Sequence, residues 1–237
     1  MYLDEFFTRA AGRTRISAEQ ASRFAKQVAG DYNPIHNPDA RRFCVPGDLL
    51  FALMLSRFGL SQRMSFRFLS MVSADVALDF VENADGSLQV VDDNGKTFLE
   101  VEREGEVTHD PQVVENFARR YVAFSGRNFP HYLKPLMEAQ GVMFNPQRPL
   151  VIYDSMGFSM ERLDAADPGL ELTHSQLEVN GKRGDVTLEF DLTSNGNVIG
   201  HGSKKLVVSG LRDYDADAMD AIVEEFYRLK AYYETTA

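Results

Sequence analysis

The sequence predicts an α+β protein made of a unit that occurs twice, in which antiparallel strands pack around a central apolar helix. Three observations predict it. The stretch DLLFALMLSRFGL, from Asp48 to Leu60, is apolar on nearly every side, and such a helix belongs in an interior. β-Branched and aromatic runs follow it, two of them separated by the hairpin signal Asp93-Asn94-Gly95. Near residue 109 the order of helices and then strands begins again.

The first helix reads ISAEQASRFAKQVAG. Ser17 caps it, Gln20 stands at the capping-box position three residues on, and Gly30 ends it. Pro46-Gly47 opens the apolar helix. The runs SFRFLSMVSADVALDFVE, SLQVVDD and TFLEVEREGEV then read as strands. In the second half, Asp110 caps the helix DPQVVENFARRYVAFSG, with Pro111 at its first position. PHYLKPLMEAQG reads as a further helix. Three strands follow, LELTHSQLEVN, GDVTLEFDLTSNG and NVIGHGSKKLVVSG, with turns at Asn180-Gly181 and Asn195-Gly196. An amphipathic helix, DADAMDAIVEEFYRLKAYY, comes last.

The halves also align locally. FAKQVAGDYNPIH from Phe24 can be set beside FARRYVAFSGRNFPH from Phe117, and DDNGKTFLEVEREGEV beside TSNGNVIGHGSKKLVV. The offsets, 93 residues for the helix and 101 for the hairpin, are both close to half of the 237-residue chain. We read a degenerate duplication, with one unit at 1–108 and a second at 109–237.

Composition narrows the function. The formal charge of −10 argues against a phosphate-backbone partner, so no nucleic acid is expected. The single cysteine, Cys44, rules out an intramolecular disulfide and any cysteine-based metal cluster, and fits a reducing cytoplasm. The first residues show no secretory signal pattern, and no apolar run approaches the roughly 20 residues of a membrane span. A cytoplasmic protein with no membrane partner and no metal or redox cofactor is expected.

The chemistry concentrates in GDYNPIHNPDARRFCVPGDLL. Asp31, Asn33 and His36 fall within six residues, between two helices. A carboxylate and an imidazole on one short loop can hold a water molecule and exchange proton roles over a reaction. The same residues can instead close a capping turn, with Asp31 at a helix end, Asn33-Pro34 at the bend and His36 on a backbone carbonyl.

FAKQVAGDYNPIHNPDARR followed by PGDLLFALM resembles the hydratase motif of MaoC-like (R)-specific enoyl-CoA hydratases, over about residues 14–60. The matching positions are Asp31, Asn33, Pro34, His36 and Gly47. The resemblance implies a double hotdog fold, two antiparallel sheets each wrapping a central apolar helix. It implies reversible hydration of an enoyl thioester, with Asp31 and His36 as the water-activating pair and Asn33 orienting their loop. Gly47, at a helix N-terminus, would donate its N–H to the thioester oxygen. The substrate would carry CoA or an acyl carrier protein's pantetheine, and the chain would be a monomeric pseudo-dimer or a homodimer. The sequence departs from the motif in three places. Pro46 stands where a histidine is common, Asp48 where an apolar residue is usual, and only 11 residues separate His36 from Gly47.

Other residues enter as candidates. Arg41 and Arg42 could hold a ligand phosphate, and so could Arg127, which falls opposite Asp31 in the second half beside His131. Each also reads as an ordinary loop residue. Cys44 lacks a dedicated base and reads as a buried small hydrophobe. Two other functions fit the same fold: a non-catalytic acyl-thioester binder, and a hotdog thioesterase using an acid on the central helix, for which Asp48 is the candidate.

Overall fold

The computed structural model describes residues 2–147, 150–165 and 167–236. The chain starts with two short strands, β1 (Thr8–Ala10) and β2 (Arg13–Arg15), and helix α1 (Ala18–Phe24). Ser17 and Gln20 close the expected capping box, with Gln20 N–H donating to Ser17 Oγ and Ser17 N–H to Gln20 Oε1. A single π turn, Ala25–Ala29, continues α1 until Gly30 ends it at φ +67°, a left-handed geometry that favours glycine. Helix α2 (Gly47–Phe58) is buried at every residue from Asp48 to Leu55, as its all-round apolar sequence requires.

Strands β3 (Leu60–Phe68), β4 (Leu78–Glu82), β5 (Leu88–Asp92) and β6 (Thr97–Thr108) follow. The run expected as one strand over 65–82 is therefore the end of β3, an irregular segment and β4. Helix α3 (Pro111–Ser125) begins where Asp110 accepts the N–H groups of Gln112 and Val113. Helix α4 (Leu133–Ala139), β7 (Val142–Met143), β8 (Leu150–Met160), β9 (Gly169–Asn180), β10 (Arg183–Ser194), β11 (Asn197–Ser209), β12 (Arg212–Asp213) and helix α5 (Ala216–Thr236) complete the order.

Instead of the two expected sheets there is one ten-stranded sheet, in the order β1-β2-β4-β5-β6-β3-β8-β11-β10-β9, and a two-stranded ribbon of β7 and β12. The reason is the antiparallel pairing of β3 with β8, Met64 opposite Phe158 and Phe66 opposite Met156, which satisfies two edges that would otherwise stay open. Apolar residues of α2 and α3 form one core with β3–β6 and the neighbouring ends of β8 and β10. Leu133 and Met137 of α4 pack with Val186, Leu188, Leu206 and Val208 in a second core. The result is an α+β fold in which one long antiparallel sheet packs against the buried helices α2 and α3. No helix among the described residues is long and apolar enough to cross a membrane.

The interior holds a pair of opposite charges. Lys204 of β11 is 0% exposed and Asp48 of α2 is 1% exposed, and their charged atoms lie 4.0 Å apart. Ser125, at the end of α3, bridges them: Lys204 Nζ donates to its hydroxyl and to Tyr121 O, and the hydroxyl donates to Asp48 Oδ1. Tyr153 OH of β8 donates to Asp48 Oδ2 at 3.3 Å, and the Tyr121 ring lies 4.0 Å from the ammonium. Burial pushes the Asp48 carboxyl up and Lys204 opposes the shift. Burial also pushes Lys204 down, against the pull of Asp48.

Removing one partner of a buried pair strands the other charge, at a cost of about 3–5 kcal/mol, whereas removing both charges is close to neutral. Lys204→Met is therefore expected to lower the urea-unfolding free energy by that amount, and Asp48→Asn with Lys204→Met to recover most of it. Additive losses would contradict the pairing. The raised Asp48 carboxyl contributes stability that is present below the ordinary value of about 4 and lost as pH rises toward the raised value. Asp48→Asn should remove that part of the pH profile.

Candidate functional site

A cavity of about 570 Å³ opens beside the N-terminus of α2. Its walls come from the loop that follows α1, from Phe68 and Tyr153 at the β3–β8 seam, from the joint between α3 and α4, and from α5. The helix α5 presents Ala218, Ala221, Ile222, Phe226 and Leu229 to it, a mainly apolar stripe at helical spacing that also includes Glu225. Tyr32 packs edge-on against Phe226 with ring centres 5.2 Å apart, tying α5 to the loop.

Asp31, Asn33, His36 and Gly47 all line this cavity. Asp31 N–H donates to Ala25 O, and Asp31 Oδ1 accepts the N–H of Asn33. Asn33 Oδ1 accepts the N–H of Ile35 and starts the short 3₁₀ turn Pro34–His36, while its Nδ2 donates to Val151 O of β8. Asn33 thus fastens the loop to the sheet. His36 Nδ1 lies 2.7 Å from Cys44 O, an acceptor, so Nδ1 carries hydrogen and Nε2 is the nitrogen left for chemistry. Nε2 faces Asp31 Oδ2 at 3.5 Å.

One Asp31 oxygen closes a turn and one His36 nitrogen satisfies a carbonyl, while the second atom of each faces the other. Gly47 opens α2, so its N–H has no acceptor within the helix. A Cβ there would stand 2.9 Å from Phe68 Cε1 and 3.2 Å from Tyr153 Cδ2, too tight beside this aromatic wall.

The three arginines do not join this site. Arg41, Arg42 and Arg127 are exposed and line no part of the cavity, and His131 is exposed as well. Asp48, next to Gly47, turns away into the interior pair. Cys44 lines the cavity, but burial pushes its thiol up to about 11.

Residues that the sequence did not single out complete the wall: Ser125, Asn128 and Tyr153. Asn128 Nδ2 donates to Tyr153 OH at 3.1 Å. Asn128 sits in the GRNFPH stretch opposite the Asp31 loop, which was its only signal. Tyr153 had none, because its strand was not recognised.

The family described as "Protein of unknown function (DUF3581)" matches residues 1–217, and the chain belongs to that family. The match ends at the start of α5. No curated protein matches the chain. Among solved structures, it is similar to an acyl-CoA thioesterase II, TesB2, from Mycobacterium marinum, with 9% identity, 91% of this chain and 99% of that one covered, and a TM-score of 0.46. A conserved protein of unknown function with a hot dog fold from Alicyclobacillus acidocaldarius shows 10% identity, coverage of 88% and 98%, and a TM-score of 0.45. A MaoC-like dehydratase shows 10% identity, coverage of 85% and 97%, and a TM-score of 0.42.

The raised, buried thiol of Cys44 gives a direct check on the loop that holds His36. In the native protein Cys44 should react with an aromatic disulfide at pH 8 at least tenfold more slowly than in urea, since little thiolate forms. Equal rates would show that the segment from His36 to Cys44 is open.

Proposed function

We propose that the protein adds water to the double bond of a trans-2-enoyl thioester, and removes it from the 3-hydroxyacyl thioester in reverse. One observation carries this reading. A carboxylate oxygen and an imidazole nitrogen, each left over from local bonding, face one another in the wall of an apolar cavity, beside the N-terminus of a buried helix.

The steps follow from those atoms. Water sits against Asp31 Oδ2 and His36 Nε2, and one of the two takes its proton as the hydroxyl adds to C3. Electron density moves onto the thioester oxygen, where the Gly47 N–H and the positive end of α2 stabilise it. The proton taken from water is then passed across the pair and delivered to C2, so that the hydroxyl and one hydrogen of the same water are added and the pair returns to its starting state. The reaction is redox-neutral and needs no further cofactor. The apolar stripe of α5 takes the acyl chain.

In this reading residues 1–108 form the unit with the acid–base loop. Residues 109–237 form a second unit, in which Arg127 stands where Asp31 would be. Pairing of the two within one chain replaces the pairing of separate subunits. The thioester is carried by CoA or by an acyl carrier protein. A thioesterase built on Asp48 is disfavoured, because that carboxylate is held by Ser125, Tyr153 and Lys204 away from the cavity.

The test is an absorbance assay with crotonyl-CoA and longer trans-2-enoyl-CoA substrates. Asp31→Asn and His36→Ala should each lower kcat by at least about 10²-fold, the scale of lost general acid–base catalysis. Turnover that survives both changes contradicts the assignment. Tight binding without turnover would make the protein a binder, and release of free thiol would make it a thioesterase.

A further inference from the structure

Helix α5 walls the cavity, yet it is fastened unevenly along its length. Its start is tied down. Tyr214 N–H donates to Gly141 O, and Asp215 Oδ1 accepts the N–H of Ala218. Met219 is wholly buried in the second core, and Lys134 of α4 meets Asp220 at 3.0 Å. After Asp220, Phe226 alone is buried among the described residues of the helix. Rings make the contacts there. Phe226 meets the Tyr32 ring at 5.2 Å and the Phe129 ring at 5.8 Å. Tyr233, two turns further on, lies 5.9 Å from the same Tyr32 ring and 5.5 Å from Lys26 Nζ. The charged face of this half is paired within itself, Glu225 with Arg228 and Lys230 with Glu234. Lifting it from the body leaves both pairs intact.

We propose that the outer half of α5, from Ala221 to Thr235, is a lid on the cavity, hinged at the anchored turn before it and latched by Tyr32 against Phe226 and Tyr233. A segment with few buried contacts opens at a small free-energy cost. This segment carries Ile222, Glu225, Phe226 and Leu229, which line the cavity, so raising it bares the apolar interior. Lowering it shuts water out of that interior. The latch stands beside the chemistry, because Tyr32 directly follows Asp31 in the loop. An apolar ligand adds contacts to Ile222, Phe226 and Leu229 only while the lid is down, and so favours the closed state. The lid serves whatever reaction the cavity runs and does not rest on the hydration reading.

The test is amide hydrogen exchange of the full chain, followed by mass spectrometry, with and without the neutral apolar dye N-phenyl-1-naphthylamine. Without dye, the amides of residues 224–234 should exchange at least about tenfold faster than those of the buried helix α2. With free dye at about ten times its Kd they should slow by roughly tenfold, the ratio expected if only the closed state binds. Tyr32→Ala removes the latch. It should speed exchange of 224–234 and release of the dye, each by about tenfold or more, with exchange of α2 unchanged. Tyr32→Phe keeps the ring and should match the wild type.

Outer-half amides as protected as those of α2 overturn the inference. So does exchange there that bound dye leaves unchanged, or a folded Tyr32→Ala protein that exchanges and releases dye like the wild type. Failure of the dye to bind also overturns it, since a lid must cover a cavity that apolar molecules enter. The wild-type comparison stands alone if Tyr32→Ala fails to fold.

Discussion

The buried bridge from Asp48 through Ser125 to Lys204 is the constraint on which the rest of the molecule depends. Its members come from the start of α2, the end of α3 and the middle of β11. Two charges that water cannot reach must keep their partners, so these three elements are held to one geometry. The geometry then propagates by hydrogen bonds. Asp48 fixes the direction of the Tyr153 hydroxyl, and Tyr153 fixes the Asn128 amide. Gly47 is placed against the same ring, so the head of α2, the most chemically useful end of a buried helix, cannot drift.

Later segments of the chain also shape the loop that carries Asp31. A Cβ on Gly126, just past α3, would stand 2.0 Å from Ala29 O, so only glycine lets that helix end abut the turn leading into Asp31. From the other side, Val151 O of β8 accepts the Asn33 amide. The loop that carries Asp31 and His36 lies early in the sequence, but much of the cavity wall around it and its anchor on β8 lie after residue 120. If the chain is two units, as its repeated order suggests, the second unit is scaffold for the first.

The parts of this arrangement that are local in sequence were legible. Ser17 with Gln20, Asp110 with Pro111 and the Asn-Gly turns each satisfy backbone groups a few residues away, so their signals are complete in a short window. Asp31, Asn33 and His36 stand out in a short window too, and the fold sets them with Gly47 in the wall of one cavity. What depends on distant partners was not legible. Strand β8 alternates Ser155, Gly157 and Ser159 with larger residues and looks weak alone. Its small residues make sense only once Gly157 lies against the Met64 backbone of β3. Nothing local marks Lys204 as wholly buried, because its partners are residues 48, 121 and 125. That the sheets merge into one ten-stranded sheet rather than standing as two was likewise not marked locally, since the β3–β8 seam depends on a strand that went unrecognised.

The proposed hydration depends on what happens to a water molecule between Asp31 and His36. The direct measurement is mass spectrometry of an enoyl-CoA incubated with the protein in ¹⁸O-labelled heavy water. Hydration by this pair should place one ¹⁸O at C3 and one deuterium at C2 of a 3-hydroxyacyl product, with the thioester intact. Recovery of unlabelled enoyl thioester, or ¹⁸O found only in a released carboxylate, would contradict it.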